Sequence, residues 1–450
     1  MAKAKGIPEP LREWQESGKG LAGEVDQLVI DALHPADAAD HIEELGLEEQ
    51  VKFIKQLPIR DAADSIAEME KYDQRDLIKR LNVGMAARIL EYMSPDDATD
   101  ILEELDDDLR ETLLRQIKAE DREEISTLLT FDPETAGGVM TTEVAIVRDN
   151  MTVDQAISTI RKEVEDKSIP YYAYVVNRRN HLVGAVSMRD LLISRPGKML
   201  TDLTHNQHLI SVTYNVDKEE VARLIAHYNF LAMPVTDFDH RFIGVVTVDD
   251  VIDIINEEAS EDMQSMVGAG TDETVDSPWK YSVKKRLPWL VINVANSAVS
   301  AWVVHLFEAN ITQMAILAVL MPIVANQAGN TGQQALAVMI RQFATEKFDR
   351  KKSWEAVFRE LKIGLANGIC IAFLVLFAVF LLTSNYTLAM VMSAALFIDM
   401  VLGAVVGGAI PIILKEFGRD PAQASSIFLT TITDSFGFLS LLGLAGIFLL

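Results

Sequence analysis

Large apolar residues return every twelve positions between residues 33 and 117: Leu33, Leu45, Leu57, Met69, Leu81, Met93, Leu105 and Ile117. A helical pattern opened by Pro or Asp fills the intervals, as in LHPADAADHIEEL, LPIRDAADSIAEM and MSPDDATDILEEL. A fixed period of this kind predicts short helices that bury their apolar stripes on their neighbours, an α-solenoid. No unit holds a nucleophile, a paired base or a Gly-rich phosphate loop. The outer face carries carboxylates such as Asp96, Asp97, Asp100, Glu103 and Glu104. The pattern points to an interaction or sensing module.

A longer period follows. GAVSMRDLL begins at Gly184 and GVVTVDDVI at Gly244, 60 residues apart. Each follows an alternating strand (Tyr172–Val176, Met233–Thr236) and a helix (Val153–Val164, Lys218–His227), so the spacing predicts tandem βαββα units. The order resembles a pair of CBS domains. The (Ser/Thr)-x-x-Asp at Ser187–Asp190 and Thr247–Asp250 matches that family's nucleotide-contacting motif. The resemblance implies that Tyr172, Arg189, Asp190 and Asp250 are positions for ATP or another adenine nucleotide. Residues 251–279 continue helically with further acids and reach a basic Lys284–Arg286.

After Pro288 the composition changes abruptly. Apolar runs at about 288–307, 312–340, 363–383, 387–414 and 423–450 are each near the roughly 20 residues a bilayer core requires. Five membrane helices are expected. Lys284, Lys285 and Arg286, then the cluster from Arg341 to Lys362, then Lys415 and Arg419 would all fall on one side, while the remaining short connections carry no Lys or Arg. That bias predicts a cytoplasmic front and a C-terminus outside the cell. No apolar signal-peptide core is seen at the start.

Charge sharpens the division. Residues 1–279 have a net charge of −29 and residues 280–450 one of +4. The acidic front is a poor partner for nucleic acid and a good one for cations. One cysteine, Cys370, rules out an intramolecular disulfide framework and is expected to be a packed core thiol. His205 and His208 are the only close histidine pair and lack a third ligand at useful spacing.

Polar exceptions inside the apolar runs carry the chemistry. The second run contains MPIVANQAGNTGQQ, from Met321 to Gln334, with five amides, two glycines and a proline. Such groups are tolerated at bilayer depth where they face protein or water. The alternative is a polar helix contact with no ion path. The fifth run holds Asp434 among Thr430, Thr431 and Thr433. Its carboxylate can attract a hydrated divalent cation while the threonines offer neutral oxygens. Asp399 in the fourth run is a second candidate, or else a buried structural acid. Gly364/Gly368 and Gly403/Gly407 have the small-xxx-small spacing of close helix packing.

Acidic helical repeats, a CBS pair, a connecting helix and five spans, in that order, resemble the MgtE family of magnesium channels. The likeness covers nearly the whole chain and is sharpest at MPIVANQAGNTGQQ and at GRDPAQASSIFLTTITDSFGF, Gly418 to Phe438. It implies an inner-membrane homodimer with its pore on the two-fold axis. Asp434 would be the pore carboxylate, with Asn330, Gly332, Ser426 and Thr430 along the pore. Two departures stand out. Asn326-Gln327-Ala328-Gly329-Asn330 replaces the family's Gly-x-Gly-Gly-Asn, and Ile427 replaces a common proline.

The expected fold is thus an α-helical membrane protein with an all-α superhelical repeat domain (1–132), an α/β CBS pair (133–256), a connecting helix (257–283) and a five-helix pore domain (284–450). The expected function is Mg²⁺ uptake through a channel that cytoplasmic Mg²⁺ closes by bridging Asp96, Glu219, Asp250, Asp253, Glu258, Glu261 and Asp262. Competing expectations are a CBS-regulated secondary transporter of another divalent cation such as Co²⁺, and a membrane-anchored Mg²⁺ sensor. No nucleophile–base pair or metal cluster suggests an enzyme.

Overall fold

The computed structural model describes residues 34–163, 171–204, 209–271, 273–275, 277–345, 349–423 and 425–450. Leu33, His205 and His208 lie outside the described residues. The chain divides into two units, Met1–Ile255 and Asn256–Leu450.

Among the described residues the first unit begins with eight short helices: α1 (Pro35–Glu43), α2 (Leu47–Ile54), α3 (Ile59–Ala67), α4 (Lys71–Arg80), α5 (Val83–Tyr92), α6 (Pro95–Glu103), α7 (Asp107–Gln116) and α8 (Ala119–Leu128). Their first residues recur every twelve positions, so the apolar beat is the helix repeat itself. Leu45, Met69, Leu81, Met93, Leu105 and Ile117 are buried, and Leu57 packs at the edge of the same core. A second column at the same period, Ile42, Ile54, Ile66, Ile78, Leu90 and Leu102, is buried more completely. Starts are fixed by local chemistry. Pro35 and Pro95 occupy the first turn, where no N–H is needed, and Asn82 and Ser94 accept hydrogen bonds from the N–H groups of Met85 and Asp97.

Two α/β repeats complete this unit. The first contains β1 (Ala145–Arg148), α9 (Val153–Glu163), β2 (Tyr172–Val176), β3 (Leu182–Ser187), α10 (Met188–Ile193) and α11 (Leu200–Thr204). The second contains β4 (Val212–Thr213), α12 (Lys218–Tyr228), β5 (Ala232–Thr236), β6 (Phe242–Thr247) and α13 (Val248–Val267). Each sheet joins a parallel pair to an antiparallel hairpin, in the orders β1-β2-β3 and β4-β5-β6. The 60-residue period survives in detail. Gly184 pairs with Val175 and Gly244 with Val235, and each register shifts at the next residue.

Helix α13 carries the chain into the second unit. A short loop leads to α14 (Trp279–Leu306), α15 (Glu308–Gln313), α16 (Ile316–Thr345), α17 (Arg350–Thr383), α18 (Tyr386–Glu416) and α19 (Ser425–Phe448). The loop is pinned to α14: Arg286 Nε donates to Glu273 Oε2 at 3.0 Å, with a second bond from the same guanidinium.

Among the described residues, four helices are long and apolar enough to cross a membrane: α14, α17, α18 and α19. The expected fifth, α16, has 30 residues, about 45 Å of helix. Its amides dilute its hydropathy, and it packs against α18 and α19 instead of presenting a uniformly apolar surface.

The glycine pairs set how closely the helices approach. Gly364 of α17 admits the Ala404 methyl, and Gly368 admits the Phe397 ring. Gly403 and Gly407 of α18 lie against the carbonyls of Ala328 and Gly332 of α16, where any Cβ would overlap backbone. Gly407→Leu should therefore disrupt this packing and cost on the order of 3 kcal/mol or more, visible as loss of a monodisperse species in size-exclusion chromatography.

Cys370 corrects one expectation. It is exposed on α17, not packed in a core, because this helix turns most of its apolar surface outward.

Candidate ion-binding sites

The first candidate site lies in the α16–α19 bundle. On α19, Ser426, Thr430 and Asp434 follow one another at i, i+4, i+8, so they share a face, and all three are half-buried. The Thr430 hydroxyl donates to the Ser426 carbonyl at 3.1 Å, and Thr433 Oγ1 donates to the Leu429 carbonyl at 3.1 Å. These hydroxyls spend their protons on the backbone and keep lone pairs to offer. Among the described residues no Lys, Arg or His pairs with Asp434.

Helix α16 has two unlike faces. Leu317, Val324, Ala328, Leu336 and Met339 are buried against the bundle. Asn326, Asn330, Gln333 and Gln334 form an exposed stripe, with Asn330 Nδ2 donating to Asn326 Oδ1 at 3.5 Å. A row of uncovered amides in an apolar bundle needs water or polar protein beside it. The structure separates the two pore candidates of this segment. Asn330 is on the amide stripe, whereas Gly332 is buried, where a Cβ would lie 2.6 Å from Leu429 Cδ1 and 2.9 Å from the Gly403 carbonyl. Gly332 serves packing, because only a glycine lets α18 and α19 come this close.

Asp399 of α18 is 0% exposed. Among the described residues neither carboxylate oxygen has a hydrogen-bond partner. The group sits against Gly437 of α19, one turn beyond Asp434, and a methyl at Gly437 would overlap Oδ2.

The second candidate site lies in the first unit, where α6 meets the second α/β repeat. Asp96 and Asp97 occupy the first turn of α6, and Asp250 the first turn of α13. Burial, and then the charge of Asp96, pushes the Asp250 carboxyl up to about 8. The same two causes push Asp97 up to about 7. Burial raises Asp96 as well, and Glu143 adds to it. Asp96 Oδ1 is buried without a hydrogen-bond partner among the described residues. The cluster is therefore short of positive charge, although Ser94 donates to Asp97 Oδ2 at 2.6 Å and the Thr247 hydroxyl caps Asp250. Asp96 and Asp250 were expected from the sequence. Asp97 was noted only as a surface acid, and Glu143 was missed, because nothing local distinguishes either from its acidic neighbours.

The other acidic candidates are distributed. Glu219 is in the first turn of α12, where its N–H donates to Asp217 Oδ1 at 2.9 Å. Asp253, Glu258, Glu261 and Asp262 line α13 at helical spacing. Among the described residues no three His, Cys, Asp or Glu side chains stand close enough to hold a metal ion unaided. An ion at either site would keep water in its shell, as Mg²⁺ does readily.

The nucleotide candidates have competing duties. Ser187 Oγ donates to Asp190 Oδ2 at 2.8 Å and accepts from the Asp190 N–H at 3.0 Å, a reciprocal cap on α10. Arg189 is exposed and Tyr172 half-buried. Tyr174 stacks on Phe242 with ring centroids 4.9 Å apart, and its hydroxyl is buried without a hydrogen-bond partner among the described residues.

Comparisons with known proteins address the chain as a whole. The MgtE family profile, described as a divalent cation transporter, matches residues 321–444. The MgtE intracellular N domain matches residues 33–134, and CBS domains match 136–196 and 200–257. The magnesium transporter MgtE of Enterococcus faecalis is 34% identical over 326 residues, 72% of each chain. That of Bacillus subtilis is 34% identical over 325 residues, again 72% of each. That of Thermus thermophilus is 32% identical over 335 residues, 73% of each. The chain belongs to the MgtE family of divalent cation transporters.

Proposed function

We propose that the protein is a Mg²⁺ channel of the inner membrane, working as a homodimer and closed by cytoplasmic Mg²⁺. The observation that carries this reading is Asp434. It is an acid in an apolar helix, half-buried, on one face with Ser426 and Thr430, and without a basic partner among the described residues. A charge at that depth costs several kcal/mol unless water or a cation meets it. Hydroxyls and amides around a single carboxylate suit a hydrated ion, since Mg²⁺ parts with its waters reluctantly. A cage of several carboxylates would hold the ion instead of passing it.

The five helices α14 and α16–α19 would all span the bilayer, with the acidic front in the cytoplasm. Closure follows from the carboxylate excess. Without a cation, Asp96, Asp97 and Asp250 either repel as carboxylates, where two unit charges 4 Å apart cost roughly 1–4 kcal/mol at effective dielectrics of 80 to 20, or take up protons instead. Mg²⁺ at Asp96 and Asp250, and at Glu219, Asp253, Glu258, Glu261 and Asp262, removes that penalty and favours the compact state. Flux of Mg²⁺, Co²⁺ and Ca²⁺ into proteoliposomes tests the assignment. Mg²⁺ should pass best, and preferred passage of Co²⁺ would support a transporter of another divalent ion.

The CBS pair would take ATP or another adenine nucleotide at Tyr172, Arg189, Asp190 and Asp250. Calorimetric titration of the full chain with ATP should show binding that Asp190→Ala weakens at least about tenfold, as expected for loss of a charge-assisted hydrogen bond. Equal heats for both proteins would assign Asp190 to the helix cap alone.

A further inference from the structure

Asp399 has no place in a mechanism built on Asp434 alone. It is fully enclosed, neither oxygen has a hydrogen-bond partner among the described residues, and Asp434, a second carboxylate, lies near enough for its charge to be felt there. Buried carboxyls are nearly always hydrogen-bonded, because desolvation without a partner is costly. Hydrophobic packing does not explain the residue either, since Asn or Leu would fill the same volume without an orphaned acid.

The surroundings supply a direction. Gly437 leaves a notch in α19 that the Asp399 carboxylate fills, and Val324 of α16 closes it, with Cγ1 3.3 Å from where a Gly437 Cβ would stand. Three residues along α19 amount to a rise of about 4.5 Å, so the notch opens one turn from Asp434 on nearly the same face. A divalent ion held at Asp434 would stand about one helical turn from that notch, close enough to feel the charge of the carboxylate behind it.

We propose that Asp399 and Asp434 act together on one hydrated divalent cation, Asp399 serving as an inner carboxylate whose charge reaches the ion across the Gly437 notch. This rests on Asp434 lying in the ion path. It makes the site a carboxylate pair within each protomer and assigns Asp399 a role in affinity, while Asp434 remains the group without which the ion does not enter.

The test uses the full-length protein in liposomes. Dicyclohexylcarbodiimide, an apolar reagent for buried carboxyls, is applied with and without millimolar MgCl₂, and adducts at Asp399 are quantified by mass spectrometry. Mg²⁺ should suppress the Asp399 adduct several-fold in the wild type and leave it unchanged in Asp434→Asn, where the shared ion is lost. Suppression that persists in Asp434→Asn would mean that Mg²⁺ acts on Asp399 from elsewhere, and the shared site would be wrong. In flux assays Asp399→Asn should still pass Mg²⁺ with a half-saturating concentration raised at least about tenfold. Wild-type half-saturation would make Asp399 a structural acid and leave the role of Asp434 intact. Wild-type flux through Asp434→Asn would overturn both. If Asp399→Asn does not fold, the adduct measurement on the wild type and Asp434→Asn decides alone.

Discussion

Asp434→Ala should reduce Mg²⁺ flux by at least about 100-fold, to the level of protein-free liposomes, while the protein still purifies as a folded species. The expectation of folding comes from the side chain's setting. Asp434 is half-buried, forms no ion pair among the described residues, and its removal leaves α19 with Leu429, Leu441, Leu442 and Ala445 still packed in the bundle. An apolar residue at this depth is also easier to accommodate than a carboxylate. The expectation of lost flux comes from the ion. A hydrated divalent cation entering low dielectric meets a barrier of many kcal/mol, and under the proposed function Asp434 is the group in α19 that lowers it. Thr430→Ala, which removes a neutral oxygen on the same face, should cost far less.

The second large effect concerns the cytoplasmic cluster. Asp250→Asn should flatten the response to Mg²⁺. In the wild type, millimolar Mg²⁺ should slow proteolytic cleavage within residues 251–279, and in the variant the half-protecting concentration should rise about tenfold or more. The pH dependence has a definite sign. Asp97 and Asp250 are pushed up to about 7 and about 8 from an ordinary value of 3.8. The folded unit therefore holds protons that the unfolded chain has already released. The stability these groups contribute is fully present below the ordinary value and is lost as pH rises through about 7 and then about 8. Mg²⁺ competes with those same protons. Its affinity for the cluster should rise between pH 6 and pH 8, and Asp250→Asn should remove most of that slope. Half-protecting concentrations that do not change with pH would contradict this account of the cluster.

Much of the architecture was legible because it repeats. The twelve-residue return of Leu45, Met69, Leu81 and their fellows coincides with helix starts, and the 60-residue return of Gly184 at Gly244 coincides with matching strands. Periodicity reports local structure directly, since each repeat must bury one stripe. The site was legible only where a residue broke its surroundings, as Asp434 does in an apolar run. What the sequence hid depends on packing between distant elements. Gly332 and Asn330 are two residues apart, yet one is buried under Leu429 and the other is on an open face, and helical phase relative to neighbours decides which. Asp97 and Asp250 are 153 residues apart in the chain, and only the fold lets the charge of Asp97 raise the proton affinity of Asp250. Cys370 failed for the complementary reason. In a membrane helix an apolar run marks an outer surface as readily as a core.

Under the proposed function a divalent ion passes the bundle where Asp434 stands. Mg²⁺ entry into proteoliposomes of purified full-length protein, followed with an internal Mg²⁺-sensitive dye, tests it most directly. Saturable entry above protein-free vesicles, abolished in Asp434→Ala, is the predicted result. Entry that is indistinguishable between the wild type and protein-free vesicles, or unchanged in the variant, would contradict it.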